Sequence, residues 1–314
     1  MFPYHDASQP TVRKLFFAGR ATANGIGISH TTRSFSLDFT SNGTAVWNNL
    51  GGDSTLQGSA AVMMINRTDP IDVGTVYKFA GKMGSVASKE GRRIDLNAFE
   101  LGWEPTGELY TGRAECNVVP LPNGKIAIVG GTTATEFHSH AGTAVRNIEI
   151  FDPATDTVVE VSPLFSGTRM YHSIALPTPN ATILLAGGEY LPVPDSGVMK
   201  NFTGQEYYPS YFSDELVRPE IINWPRSQAW NTTLGIQATG QVAYFSLIKL
   251  GSTTHANDTT TRFIKLTPAQ PPSGQFHYLK MPKNGGVAPP GQYMLFAVST
   301  NGVPSVARYV QIGP

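Results

Sequence analysis

Apolar residues along this chain come in short runs rich in Val, Ile, Phe and Tyr, bounded by Gly, Pro, Asn and Asp. Helical spacing is nearly absent, so the pattern predicts strands joined by turns. Four runs close on a small residue and a glycine: RKLFFAG (13–19), GTVYKFAG (74–81), GKIAIVGG (124–131) and ATILLAGG (181–188). Their last glycines are 62, 50 and 57 residues apart. A repeat near 50 residues, with a strand running into Gly-Gly, is the pattern of kelch-type propeller blades. Further strands are predicted after each: SFSLDF (34–39), IDLNAFEL (94–101), NIEIFDPATDTVVEV (147–161) and GQEYYP (204–209). In the third, the Asp-Pro-Ala-Thr-Asp turn joins two alternating strands as an outer hairpin would.

The period stops near residue 212. SDELVRPEIINWPRSQAW reads as a linker, followed by TLGIQATG, VAYFSLIKL, TRFIKLTP, QFHYLKMP, GQYMLFAVS and SVARYVQI. Short alternating strands at roughly 12-residue spacing predict an immunoglobulin-like sandwich. The expected fold is therefore all-β: a partial kelch-type propeller over residues 1–212, then a sandwich over 213–314. At about 50 residues per blade the first part holds about four blades. A propeller must close its ring to hide its edges, so a larger ring truncated at its N-terminus is the expectation.

Composition narrows the function classes. Lys plus Arg is 23 and Asp plus Glu is 23, so a net charge of zero gives no electrostatic reason to expect nucleic acid or an anionic membrane as partner. No apolar run reaches the length of a transmembrane helix. The single cysteine, Cys116, excludes an intrachain disulfide framework and a multi-cysteine zinc site. Asn-x-Ser/Thr sequons at Asn42, Asn66, Asn180, Asn201, Asn231 and Asn257 point toward secretion, although the N-terminus carries no signal-peptide pattern.

A mononuclear copper or zinc site needs imidazoles, alone or with a phenolate or carboxylate, gathered in one place. His138-Ser-His140 has the spacing for two ligands but sits in a polar stretch that reads equally as a solvated loop. Tyr171-His172 falls at the start of a blade strand, where propeller sites are usually built, and His255 stands at a strand-to-turn junction of the sandwich. Trp103, Trp224 and Trp230 read as a carbohydrate platform or as packing, and Arg169 as a substrate-orienting group or an inter-blade salt bridge. Glu115 lies close to an inner-strand start, a place from which it would face the channel. No phosphate loop, dinucleotide fingerprint or Gly-x-Ser-x-Gly elbow occurs.

In combination, RMYHSIAL, a strand ending LLAGGE, RPEI, SLIKLGSTTHAND and VAPPGQYMLFAVSTNGVPSVARYVQI resemble the C-terminal half of the galactose oxidase and glyoxal oxidase family of copper radical oxidases. The likeness extends to the blades at 53–81 and 113–131. It implies that the sandwich is the family's early-set domain, inserting the loop that bears His255 into the propeller channel. It implies one copper ion bound by His172, His255 and the axial Tyr171, with Tyr171 as catalytic base. It implies small aldehyde or primary alcohol substrates oxidised by O₂ with release of H₂O₂, and a secreted enzyme. The family's cross-linked Tyr-Cys radical cofactor has no counterpart in this chain, and Cys116 falls at a position the family does not use for it. Glu115 matches no family role. Copper alone supplies one electron of the two that the oxidation needs, so weak copper binding and little or no turnover are expected of this chain by itself. The alternative is a non-catalytic propeller-and-sandwich protein that binds carbohydrate; an incomplete gene product is a third reading.

Overall fold

A computed structural model describes residues 2–4, 13–18, 33–39, 44–52, 60–66, 73–83, 85–98, 101–134, 139–192, 197–213, 217–254, 257–258, 260–268 and 270–314. Of the histidines, His5, His30, His138 and His255 lie outside the described residues.

Four antiparallel sheets follow one another along the first two thirds of the chain. The first runs β1 (Phe2–Tyr4), β2 (Arg13–Phe17), β3 (Arg33–Phe39) and β4 (Ala45–Gly52). The second has β5 (Ala60–Ile65) and β6 (Thr75–Phe79), a ribbon of β7 (Lys82–Met83) with β8 (Val86–Ala87), then β9 (Gly91–Asp95) and β10 (Glu104–Thr106). The third is β11 (Asn117–Pro120), β12 (Ile126–Val129), β13 (Ile148–Asp152) and β14 (Thr157–Val161). The fourth is β15 (Ser173–Pro177) and β16 (Ile183–Gly187), a ribbon of β17 (Glu189–Tyr190) with β18 (Met199–Lys200), then β19 (Gly204–Tyr207). Each glycine-terminated run of the sequence supplies the second strand of its sheet. The first strands β5, β11 and β15 lie side by side, as blades ranged about an axis require.

One strand assignment needs correcting. The segment IDLNAFEL is not the third strand of its blade; that strand is Gly91–Asp95, and the chain turns directly after it. Asp95 forces the turn, its Oδ1 accepting the backbone N–H and the side-chain Nδ2 of Asn97, at 2.9 and 2.8 Å.

The glycine signature has a steric cause. Gly130 has φ +66°, and a Cβ there would stand 2.3 Å from the carbonyl oxygen of Arg169. Gly188 has φ +122°, and its Cβ would stand 2.7 Å from the carbonyl oxygen of Thr168. The backbone leading into the fourth blade thus presses on the end of β12 and on the end of β16, and only glycine admits both approaches.

The last third folds as β20 (Glu220–Asn223), β21 (Ser227–Ala229), β22 (Thr233–Thr239), β23 (Val242–Lys249), β24 (Thr253–Thr254), β25 (Asn257–Asp258), β26 (Arg262–Leu266), β27 (Phe276–Lys280), β28 (Gly291–Ser299) and β29 (Arg308–Gly313). The sheet β20-β22-β27 packs on β26-β23-β28-β29-β21, with Ile221, Leu234, Ile236 and Leu279 meeting Phe245, Leu247, Leu295 and Val310 in one core. The segment read as a linker contributes two of these strands: β20 pairs with β22, and β21 pairs in parallel with β29. The sandwich and the second blade also share one sheet. β26 pairs in parallel with β5, Arg262 beside Met63 and Ile264 beside Ile65, giving nine strands in the order β10-β9-β6-β5-β26-β23-β28-β29-β21.

Candidate functional site

The turn Met170–Tyr171–His172–Ser173 delivers the Tyr-His pair. Ser173 N–H donates to Met170 O at 2.9 Å, and His172 takes the left-handed conformation, φ +59°. A non-glycine residue held there costs of order 1–3 kcal/mol and persists only where its surroundings impose it. The imposing contacts are visible. Ser173, the first residue of β15, accepts from Asn117 Nδ2 of β11 at 3.0 Å. On the other side, Glu189 N–H donates to Tyr171 O at 2.7 Å.

The Tyr171 and His172 rings stack, centroids 3.9 Å apart. His172 Nδ1 lies 3.0 Å from Glu189 Oε2; the His172 side chain is 39% exposed and the Glu189 side chain only 17%. The phenol of Tyr171 is pushed above its ordinary value by burial first, then by the charges of Glu115 and Glu189. Glu115 holds in the third blade the place of Tyr171 in the fourth, each two residues after a buried arginine.

Those arginines are structural. Arg113 Nη1 donates to Gly130 O at 3.1 Å, and Arg169 Nη1 donates to Gly187 O at 2.9 Å, each tying the lead-in of a blade to the end of that blade's second strand. Arg169 also donates to Thr203 Oγ1 at 3.0 Å. This accounts for Arg169 without a substrate.

His255 lies outside the described residues, but its flanks are defined. β24 and β25 pair antiparallel, Thr254 opposite Asn257, with residues 255–256 between them. β24 lies against β15, and β25 lies against β5 and β11. Asp258 organises this hairpin, its Oδ1 accepting the backbone N–H groups of Thr260 and Thr261 at 3.0 and 2.9 Å. A hairpin of the sandwich therefore reaches the first strands of three blades, and β15 begins one residue after His172.

The remaining candidates separate from this region. His140 Nδ1 accepts from Gly142 N at 3.0 Å and caps a short 3₁₀ turn; His138, its partner in the sequence reading, is outside the described residues. The tryptophans have separate packing partners. Trp103 packs on Phe16 under Lys78, Trp224 donates to Tyr309 O between Arg226 and Arg308, and Trp230 donates to Ala288 O. Cys116 is buried, and burial pushes its thiol up to about 12, which makes it an unreactive packing group. Among the described residues no three His, Cys, Asp or Glu side chains form a metal-binding group. The residue missed by sequence reasoning is Glu189, whose position directly after Gly-Gly was its one signal.

Blade sheets about an axis, joined by a sandwich hairpin beside a Tyr-His turn, define a propeller-and-sandwich protein with its candidate site at the junction. Residues 218–312 match the galactose oxidase-like early set domain. A galactose oxidase of Gibberella zeae is 31% identical over 213 residues, 65% of this chain and 30% of that protein. An aldehyde oxidase of Arabidopsis thaliana is 26% identical over 251 residues (72% and 40%), and one of Vitis pseudoreticulata 29% over 229 residues (68% and 43%). A fungal alcohol oxidase of the AA5 family, solved in complex with copper, superposes with TM-score 0.77 at 26% identity, covering 90% of this chain and 60% of that one. The chain is thus similar to the galactose oxidase and glyoxal oxidase family, with that family's early set domain matched at residues 218–312. It spans less than half the length of these curated relatives.

Proposed function

We propose that this chain carries the copper-holding portion of a copper radical oxidase site, with Tyr171, His172 and His255 as ligands of one ion. The observation that carries the reading is the β24–β25 hairpin, which bears His255 between its strands and packs against β15 directly after Tyr171-His172. The donor set fits copper: imidazole nitrogen is a good ligand for it, and phenolate adds a charged oxygen. The surroundings of His172 fit as well, because a metal-bound histidine ordinarily gives its other N–H to a carboxylate, carbonyl or water, and Glu189 Oε2 stands 3.0 Å from His172 Nδ1.

Bound copper would supply a redox centre and a Lewis acid. Tyr171 would receive the hydroxyl proton of a small primary alcohol or aldehyde hydrate. Without a metal its phenol is held above the ordinary value by burial and by Glu115 and Glu189; beside bound copper the phenolate would be favoured, the form that can accept the proton. The half-exposed His172 ring leaves the pair open to substrate. The full reaction passes two electrons to O₂ and forms H₂O₂. The only cysteine is the buried, high-pKa Cys116, so no Tyr-Cys radical forms within this chain and it is inactive by itself. Exposed sequons at Asn66, Asn180 and Asn231 suit a secreted protein.

The test is copper titration with electron paramagnetic resonance on the wild-type chain and on His172→Ala/His255→Ala. The expected result is a stoichiometric type-2 Cu(II) signal with nitrogen coupling, lost in the double variant, and no H₂O₂ from methylglyoxal or galactose. Absence of stoichiometric copper overturns the metal reading and favours a binding module. Turnover overturns the claim of inactivity.

A further inference from the structure

We propose that Glu189 is the positioning residue of this site, its carboxylate accepting the Nδ1–H of His172 and fixing the tautomer whose Nε2 lone pair faces a metal. This deepens the copper reading and rests on it for the metal, but the hydrogen bond and the tautomer belong to the chain alone.

Three observations converge on one residue. Glu189 Oε2 lies 3.0 Å from His172 Nδ1, within hydrogen-bond range. Its own N–H donates to Tyr171 O at 2.7 Å, so backbone and side chain of Glu189 grip both members of the pair. And Glu189 is itself fixed. It follows Gly188, whose φ of +122° admits the close approach of Thr168 O, and it opens β17, paired with Lys200 of β18. Gly188 O in turn accepts from Asn201 N at 2.8 Å. With its backbone already fixed on a paired strand, only the side-chain freedom of Glu189 remains to be lost when its carboxylate accepts a bond. A neutral imidazole has one N–H and one lone pair. If Nδ1–H is committed to Glu189, the lone pair must be on Nε2. His172 sits at φ +59° with a ring stacked on Tyr171. Its backbone is therefore strained, and the carboxylate supplies what keeps the ring from turning.

The role separates from a purely structural one by its spectroscopic signature. The metal-free full chain, labelled with ¹⁵N at histidine and held at about pH 8, where an ordinary imidazole is neutral, is read by long-range ¹H–¹⁵N correlation, with His172 assigned by its loss in His172→Gln. The wild type is expected to show the Nδ1–H tautomer at His172. Glu189→Ala is expected to shift it toward Nε2–H, while Glu189→Gln, which retains a carbonyl acceptor, holds Nδ1–H. Competition with a chromophoric chelator is then expected to give Cu(II) affinity about tenfold or more weaker in Glu189→Ala, with Glu189→Gln nearer the wild type. An Nε2–H tautomer in the wild type overturns the proposal. So does a Glu189→Ala chain that keeps its tautomer, or one that shifts it while a copper-binding wild type and the variant have equal affinity. A wild-type chain that binds no copper but whose His172 tautomer follows Glu189 upholds the positioning bond and overturns only the copper reading. Should Glu189→Ala fail to fold, a Glu189→Gln chain that shows Nε2–H decides against the proposal, and one that holds Nδ1–H decides for it.

Discussion

Glu149 and Arg113 form the ion pair on which the third blade depends, and removing one partner gives the sharpest test of the packing argument. Both side chains are 0% exposed and are joined by a hydrogen bond from Arg113 Nη2 to Glu149 Oε1. Glu149 also accepts the backbone N–H groups of Tyr110 and Thr111, at 2.6 and 3.1 Å. Arg113 donates further to Gly130 O, Asn147 O and Asn147 Oδ1 at 3.1, 3.2 and 3.1 Å. Glu149→Ala therefore strands a buried guanidinium and two backbone donors at once. Breaking a buried pair from one side costs about 3–5 kcal/mol, a large share of the roughly 5–15 kcal/mol that holds a domain folded. The double variant Arg113→Met/Glu149→Leu removes both charges and should recover part of that loss. Recovery stays partial, because the carbonyls that Arg113 served are left without their donor. Urea denaturation followed by tryptophan fluorescence gives the four corners of the cycle. A loss under about 1 kcal/mol in Glu149→Ala, or a double variant no more stable than the single one, would refute the reasoning.

Further expectations follow from the same contacts. Gly188→Ala should destabilise the chain by roughly 2–4 kcal/mol, combining left-handed strain with a backbone collision, and should broaden the Tyr171 and His172 resonances; an unchanged melting temperature would count against the glycine argument. Asp258→Ala should free the hairpin that bears His255, raising amide exchange at Thr260 and Thr261 by tenfold or more, measured by hydrogen exchange. Because the folded pKa of Cys116 lies above its ordinary 9.0, at about 12, its contribution is whole below about pH 8 and drains as pH rises through that window. Cys116→Ala should therefore lose less stability than the wild type between about pH 9 and 11, and the native wild-type thiol should resist labelling at neutral pH until urea is added. Expressed through a secretory host, the chain should carry glycans at exposed Asn66, Asn180 and Asn231, and mass spectrometry should find Asn201 largely unmodified. The side chain of Asn201 is occupied, Nδ2 donating to Thr168 O at 3.2 Å.

What the sequence made legible had a local cause. The Gly-Gly endings were readable because neighbouring backbone forbids a Cβ there, a constraint that falls on single positions. The alternating sandwich strands were readable because one face of each is buried, as the start of β22 illustrates, where Thr233 and Gly235 are exposed and Leu234 and Ile236 buried. What stayed hidden depends on partners far away in the chain. Nothing in RFIKL announces that it pairs with AAVMMI, since parallel pairing of remote segments leaves no turn signal. EIIN and SQA are too short to show a period, so their pairing partners alone make them strands. Tyr171 and His172 stood out by residue type and place. Glu189 did not, because an acidic residue after Gly-Gly reads as an ordinary solvated turn until the fold returns it to His172.

The frame around Tyr171 is built from the chain's own bonds. Its turn is closed by backbone bonds, His172 is held in a strained conformation, and two carboxylates stand close enough to raise the phenol. In the metal-free chain those carboxylates and the burial work against a phenolate, so the site by itself favours the neutral phenol. A divalent cation at the same place reverses the sign of that field, because its charge outweighs that of either glutamate and favours the ionised phenol. The groups that oppose ionisation of the metal-free chain are the ones that would attract a cation into it. On this argument Tyr171 and the cation are coupled, and removing Glu115 should make the phenol easier to ionise in the apo chain while weakening the hold on the metal.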